Sequence, residues 1–208
     1  MIDERIIRQA DMYFTEKLQE YHTGPQVSDW NSVEAQEVRF QQICKILPED
    51  CNSKFSVCDY GCGLGDLYAY IGRSYSNFAY VGMDASEQVI ASAKRKVDGG
   101  VFLHGHNIED KHDYIVSSGI FNIKSDVSDE DWRKYIVETI HMFNQVAVKG
   151  FAFNCLTKYS DVEYMKDYLY YADPLYLFDY CKKNFSKNVA LLHDYGIYDF
   201  TILVRKEL

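Results

Sequence analysis

Asp59, Gly61, Gly63 and Gly65 stand within one short stretch, Phe55-Ser56-Val57-Cys58-Asp59-Tyr60-Gly61-Cys62-Gly63-Leu64-Gly65-Asp66-Leu67. A short apolar run ends in a carboxylate, and three glycines follow at alternate positions. Glycine lets the backbone turn sharply and lets a ligand lie against bare main chain. A helix starting near Leu64–Asp66 would add free N–H groups and a partial positive charge. A second carboxylate, Asp84, ends the run Val81-Gly82-Met83, and Asn107-Ile108 follows a third apolar run. An acid can accept from an ammonium group or from two neighbouring hydroxyls, an amide can pair with the edge of a heterocycle, and an isoleucine can pack on its face. A strand–helix turn with no ligand is the plainer alternative.

The elements that must carry these residues alternate. Strands are expected at 55–59, 78–83, 101–104, 113–118 and 145–153, with helices at 65–74, 86–97 and 128–143 between them. Ser128-Asp129-Glu130-Asp131 has cap and dipole chemistry for the last of these. Alternation of this kind implies a parallel sheet with helices on both faces. A segment at 154–184 then breaks the rhythm. It is expected to carry helices at 161–171 and 174–183, the second opened by the cap pair Asp173-Pro174. Strands at 188–193 and 198–205, joined by a direct turn, must be antiparallel. The expected fold is α/β: a Rossmann-like, doubly wound, seven-stranded sheet, mostly parallel, with an antiparallel last strand. Ligands of such sheets sit at the carboxyl ends of the strands, where Asp59, Asp84, Asn107 and Ser117 fall.

Two helices precede the sheet and form an N-terminal helical cover. One is expected over 3–20, where Ile6, Ile7, Ala10, Met12–Phe14 and Leu18 give an apolar stripe. The other is expected over 32–47, capped by Asn31 with Glu34 three residues on, and stopped by Pro48. Trp30 either staples that helix or helps to cover the glycine loop. Arg39 is either solvated or reaches a ligand carboxylate. Residues 1–50 are read as a cap and 51–208 as the main domain, with 154–184 as an insertion.

The chain has 208 residues, a formal charge of −9, 18 Tyr and 12 Phe. That length suits one domain. The acidic balance argues against a nucleic-acid partner. No leader and no apolar run long enough to span a bilayer is read, so a cytoplasmic location without a membrane partner is expected. The six cysteines are expected to be reduced thiols. Cys58 and Cys62 lack a second Cys or His pair for a zinc site, so no metal is expected.

A dinucleotide is one candidate ligand, but its fingerprint G-x-G-x-x-G does not fit. The third glycine comes one residue early, Asp66 stands where Gly or Ala is wanted, and Asp59 would repel a pyrophosphate. A phosphate loop is excluded because no G-K-[ST] follows the glycines. S-adenosylmethionine suits the set: adenosine for Asp84 and Asn107, an amino acid for the glycine loop, and a sulfonium between them.

Asp59-x-Gly61-Cys62-Gly63-Leu64-Gly65-Asp66 followed by Val81-Gly82-Met83-Asp84 resembles the class I S-adenosylmethionine-dependent methyltransferases, over roughly residues 50–205. The resemblance implies that Asp59 meets the methionine end, that Gly61, Cys62, Gly63 and Gly65 pass under the cofactor, and that Asp84 binds ribose, with Ala85 beside it. It assigns the adenine edge to Asn107, with His106 as the alternative, and adds Ile108 and Ser117 to the cofactor set, with Trp30 and Arg39 from the cover. The N-terminal helices are similar to the cover of small-molecule members such as the trans-aconitate and ubiquinone-pathway types. The D-W-N-x-x-E-x-Q-x-x-R-F stretch also looks like an orphan bacterial subset associated with surface-polysaccharide clusters.

Methyl transfer from a sulfonium needs alignment more than acid–base chemistry, so no fixed catalytic residue is sought. N-methylating members show an Asn/Asp-Pro-Pro-Tyr-like motif after strand four, whereas this chain has Ser118-Gly119-Ile120-Phe121-Asn122. A small-molecule acceptor methylated at oxygen is expected, a sugar or an anionic metabolite. Phe121, Asn122, Asn154, Lys158, Tyr159 and Tyr171 are the candidate acceptor residues, the tyrosines being equally compatible with packing. His193 is the candidate base, or else a structural strand-end histidine. A cofactor-binding protein without turnover, or a protein or RNA methyltransferase, are the alternative functions.

Overall fold

Side chains alternate between the two faces of a strand, and here both faces are apolar. The computed structural model describes residues 2–28 and 32–206. Its strands are β1 (Phe55–Tyr60), β2 (Phe78–Asp84), β3 (Val101–His104), β4 (His112–Ser117), β5 (Ala147–Leu156), β6 (Asn188–Leu192) and β7 (Asp199–Arg205). In β1, Phe55 and Val57 join one buried cluster while Cys58 and Tyr60 join the other. In β5, Phe151, Phe153 and Cys155 face one way and Ala152 the other. Such two-sided burial requires helices on both faces. One face is covered by α5 (Asp129–Val146) and α6 (Pro174–Asn184), the other by α2 (Val33–Ile43), α3 (Asp66–Gly72) and α4 (Glu87–Lys96).

The strand order is β3-β2-β1-β4-β5-β7-β6. β1 to β5 pair in parallel, and β7 runs antiparallel to both β5 and β6. The expected sheet with a reversed last strand is therefore present, and the reversed strand is wedged between β5 and β6. The order changes direction between β1 and β4. A crevice opens at that point, beyond the carboxyl ends of the strands.

Every α-helix but α3 opens on a side-chain cap. Asp3 accepts from the Arg5 N–H at 2.9 Å to open α1 (Glu4–Tyr21). Ser86, Ser128 and Asp173 cap α4, α5 and α6. The cap of α2 is Ser32, whose hydroxyl accepts from the Ala35 N–H at 3.1 Å, in place of the expected Asn31. Asn31 and Trp30 lie outside the described residues. Among the described residues, no helix is long and apolar enough to cross a membrane.

The 154–184 segment departs from expectation. β5 runs on to Leu156, so Asn154 is a buried strand residue. No helix spans 161–171; a single 3₁₀ turn, Val162–Tyr164, stands there. Beyond it the chain makes a turn at Lys166–Leu169 and is stitched to the loop after β4: Lys124 and Ser125 N–H donate to the Tyr168 carbonyl, and Tyr170 N–H donates to that of Asn122. The run Leu169-Tyr170-Tyr171 suits a half-buried extended segment better than a helix.

Candidate active site

The glycine turn at the end of β1 has left-handed backbone at Gly61 (φ +77°) and Gly65 (φ +79°). A side chain on Gly61 would also put its Cβ 2.2 Å from Ile120 Cγ2. The turn is stitched to the end of β2. Gly61 and Cys62 N–H donate to the Met83 carbonyl at 2.7 and 3.0 Å. Gly63 N–H donates to Asp84 Oδ2 and Ser86 N–H to Asp84 Oδ1, each at 3.0 Å. Asp84 thus locks the glycine turn to the start of α4. An ionised carboxylate has about four lone-pair sites, so capacity for two further donors remains.

Asp59 is buried, and its Oδ2 accepts a 2.6 Å hydrogen bond from the Tyr80 hydroxyl. Burial pushes its pKa up to about 7; the Tyr80 hydrogen bond pulls it down, and the Asp84 and Asp66 charges push it further up. Burial also raises Asp84, against the opposing Ser86 and Gly63 hydrogen bonds. Among the described residues, neither acid forms an ion pair with Lys, Arg or His. A buried carboxylate and a half-buried one on one cleft, Asp59 and Asp84, without a cation, suit a ligand that brings its own ammonium group and a pair of hydroxyls.

The cleft is lined by Asp59, Gly61, Cys62, Gly63, Asp84 and Ala85. Six of the expected cofactor residues are thereby brought together. Gly65 caps α3 and does not line the cleft. Of the two candidates after β3, His106 lines the cleft and Asn107 does not; the Asn107 amide lies 3.3 Å from His106 Nε2. Ile108 is buried in the core, and the buried Ser117 hydroxyl donates to the Tyr60 carbonyl at 2.8 Å, so Ser118 and Gly119 take its place on the wall. Arg39 does not line the cleft. Its guanidinium holds Asp199 at the start of β7 through Nε–Oδ1 (3.1 Å) and Nη2–Oδ2 (2.5 Å).

α1 lies over the cleft and supplies Ile6, Ala10, Tyr13 and Phe14 to its wall. Polar contacts among the described residues help to hold it there. Glu4 Oε1 is 3.2 Å from His106 Nε2, Thr15 and Ser86 hydroxyls share a 2.8 Å hydrogen bond, and Gln9 donates to Asp126.

The expected acceptor residues are scattered. Phe121 is wholly buried against Tyr135 and Phe153, in the core and not on the cleft wall. Asn154 accepts from Gly119 N–H at 2.8 Å and so shapes the loop after β4. Asn122 accepts from Leu156 N–H at 3.0 Å and lines a second cavity with Arg39, Tyr159, Tyr168 and His193. Lys158, paired with Asp173 at 2.8 Å, and Tyr171 line a third hollow between the starts of α5 and α6. Gly119 and Ile123 border both the cleft and the second cavity, making the two neighbours. His193 is exposed and its ring packs on Tyr159 and Phe200.

Sequence reasoning did not single out Tyr80, Gln36, Ile120 or Asp199. Tyr80 had a signal: it precedes Asp84 by four residues in a strand whose register sets it beside Val57, two residues from Asp59. Asp199 had none, since its partner is 160 residues away.

No protein-family profile matches the chain. A Mycobacterium tuberculosis protein provisionally named a methyltransferase, Rv1506c, is 46% identical over 155 residues, which are 73% of this chain and 93% of that protein. Among solved structures, magnesium protoporphyrin IX methyltransferase from Synechocystis, with S-adenosylmethionine bound, superposes with a TM-score of 0.67 at 15% identity, covering 99% of each chain. Human N-acetylserotonin methyltransferase, also in complex with S-adenosylmethionine, gives 0.67 at 14% identity over 99% of this chain and 60% of that one. At those identities the likeness is one of fold.

Proposed function

The chain belongs to the class I S-adenosylmethionine-dependent methyltransferases, and from that premise we propose that it methylates a small-molecule acceptor at oxygen. The observation that carries this reading is the pair of carboxylates on the cleft, buried Asp59 and half-buried Asp84, which have no cation partner among the described residues and are linked through the glycine turn and the end of β2. Asp59 would take the ammonium end of the cofactor and Asp84 its ribose hydroxyls, with His106 at the adenine end and Ala85 beside it. The cofactor supplies a methyl group on a sulfonium whose leaving group is neutral, so the site needs no acid. The protein's task is alignment, worth roughly 7–11 kcal/mol when the reacting atoms are held in line. α1 over the cleft would keep water out.

The acceptor, a sugar or an anionic metabolite, would lie in the second cavity, next to the cleft across Gly119 and Ile123. Among the described residues that cavity is lined by Lys166 and His193, by no Asp or Glu, and by Arg39, whose charge Asp199 already pairs. Lys166 leaves one cation there, unpaired among the described residues, to meet an anionic acceptor. A hydroxyl acceptor calls for a base, and His193 is the candidate on that side. The structural neighbours named for magnesium protoporphyrin IX and N-acetylserotonin support a small acceptor by analogy of fold. In this reading the enzyme works in the cytoplasm. Incubation with S-adenosylmethionine and fractionated metabolites, read by mass, should give S-adenosylhomocysteine together with one product heavier by a methylene. No turnover with any fraction, despite cofactor binding, would favour a binding role without catalysis.

A further inference from the structure

Buried amides are almost always hydrogen-bonded, because an unpaired one forfeits its contacts with water. α2 holds a pair that makes the comparison directly. Gln42 is 4% exposed and its Oε1 accepts from Lys45 Nζ at 2.5 Å. Gln36 is 7% exposed, and among the described residues its side-chain amide has no hydrogen-bond partner. It lines the cleft, with Phe40 one turn further along the same helix.

The glycine turn commits most of its N–H donors to the protein itself. The amino-acid end of S-adenosylmethionine carries a carboxylate beside its ammonium group. A glycine turn would be the natural source of N–H groups for it, but those of Gly61, Cys62, Gly63 and Gly65 already donate to Met83, Met83, Asp84 and Cys62. Neither Asp59 nor Asp84 can serve an anion. Gln36 brings two N–H donors and no charge that would pair off Asp59. Its helix is fixed from behind: Arg39 grips Asp199 in β7 and donates to the Ala35 carbonyl at 2.7 Å.

Resting on the methyl-transfer reading, we propose that Gln36 donates to the carboxylate of the bound cofactor, across the cleft from Asp59, and that Arg39–Asp199 is the positioning pair that aims it. The site then reads a zwitterion with one acid and one amide.

The test titrates S-adenosylhomocysteine and 5′-methylthioadenosine, which lacks the amino-acid end, into the wild-type chain and into Gln36→Ala and Gln36→Glu. Gln36→Ala should weaken S-adenosylhomocysteine by about tenfold, the scale of a hydrogen bond to a charged group. The near-isosteric Gln36→Glu should weaken it further, by like-charge repulsion. 5′-Methylthioadenosine should bind all three alike, which also reports an intact cleft. Equal loss for both ligands overturns the assignment, as does undiminished S-adenosylhomocysteine binding with a raised KM for the acceptor. A wild-type chain that binds neither ligand overturns the methyl-transfer reading itself, and the assignment with it.

Discussion

The Tyr80 hydroxyl donates to Asp59 Oδ2 at 2.6 Å, inside the sheet, and both side chains are only 3% exposed. One hydrogen bond does not compensate the burial of a full charge, so the Asp59 pKa rises from 3.8 to about 7. The folded protein then binds a proton over a range in which the unfolded chain has lost it. Stability from this group is present below the unfolded value and falls as pH climbs towards about 7. The loss is on the order of 4 kcal/mol. Asp59→Asn should remove it. Thermal melts from acid to neutral pH should show the variant gaining on wild type as pH rises; a wild type that gains on the variant would contradict this.

The same group should couple cofactor binding to protons. An ammonium group beside Asp59 favours the carboxylate, so binding lowers its pKa and releases a proton. S-Adenosylhomocysteine affinity should increase with pH up to about 7 and then flatten. Calorimetry in buffers of different ionisation enthalpy measures the released proton directly, and Asp59→Asn should release none from this site.

Gly61 resists replacement on two counts. Its positive φ costs a side chain roughly 1–2 kcal/mol, and a Cβ would lie 2.2 Å from Ile120, itself on the cleft wall. Gly61→Ala should lower Tm and weaken cofactor binding together. A Gly72→Ala control has open space around its Cβ and should do neither.

Arg39 and Asp199 join α2 to β7 with both groups nearly out of solvent. Removing one partner leaves a buried charge, so Arg39→Ala should cost about 3–5 kcal/mol in urea unfolding. The double replacement Arg39→Met with Asp199→Leu should cost much less than the sum of the single changes. Equal and additive losses would show that the two do not act as a pair.

Periodicity alone revealed the sheet, because strands buried on both faces read as apolar runs ended by Asp59, Asp84 and Ser117. The reversed strand was legible because a short turn allows no other direction. The segment after β5 was misread: tyrosines at 164–171 fit a helix only until the partner they pair with, the loop at 122–125, is known. The cofactor acids were legible as strand-end carboxylates after apolar runs. Arg39 was not, since an arginine on a helix reveals nothing of a buried aspartate far along the chain. Phe121 and Asn154 are expected near the acceptor because one follows β4 and the other follows a fifth strand expected to end at 153, whereas β5 runs on to Leu156. Their side chains turn inward, where one fills the core and the other holds the Gly119 loop.

The most direct measurement is calorimetric titration of S-adenosylhomocysteine into the wild-type chain and into Asp84→Ala and Asp84→Asn. The account predicts one site per chain in the wild type, and a loss of about tenfold or more in both variants as charge-assisted bonds to the ribose are removed. Absence of binding to the wild type, or undiminished binding to both variants, would contradict it.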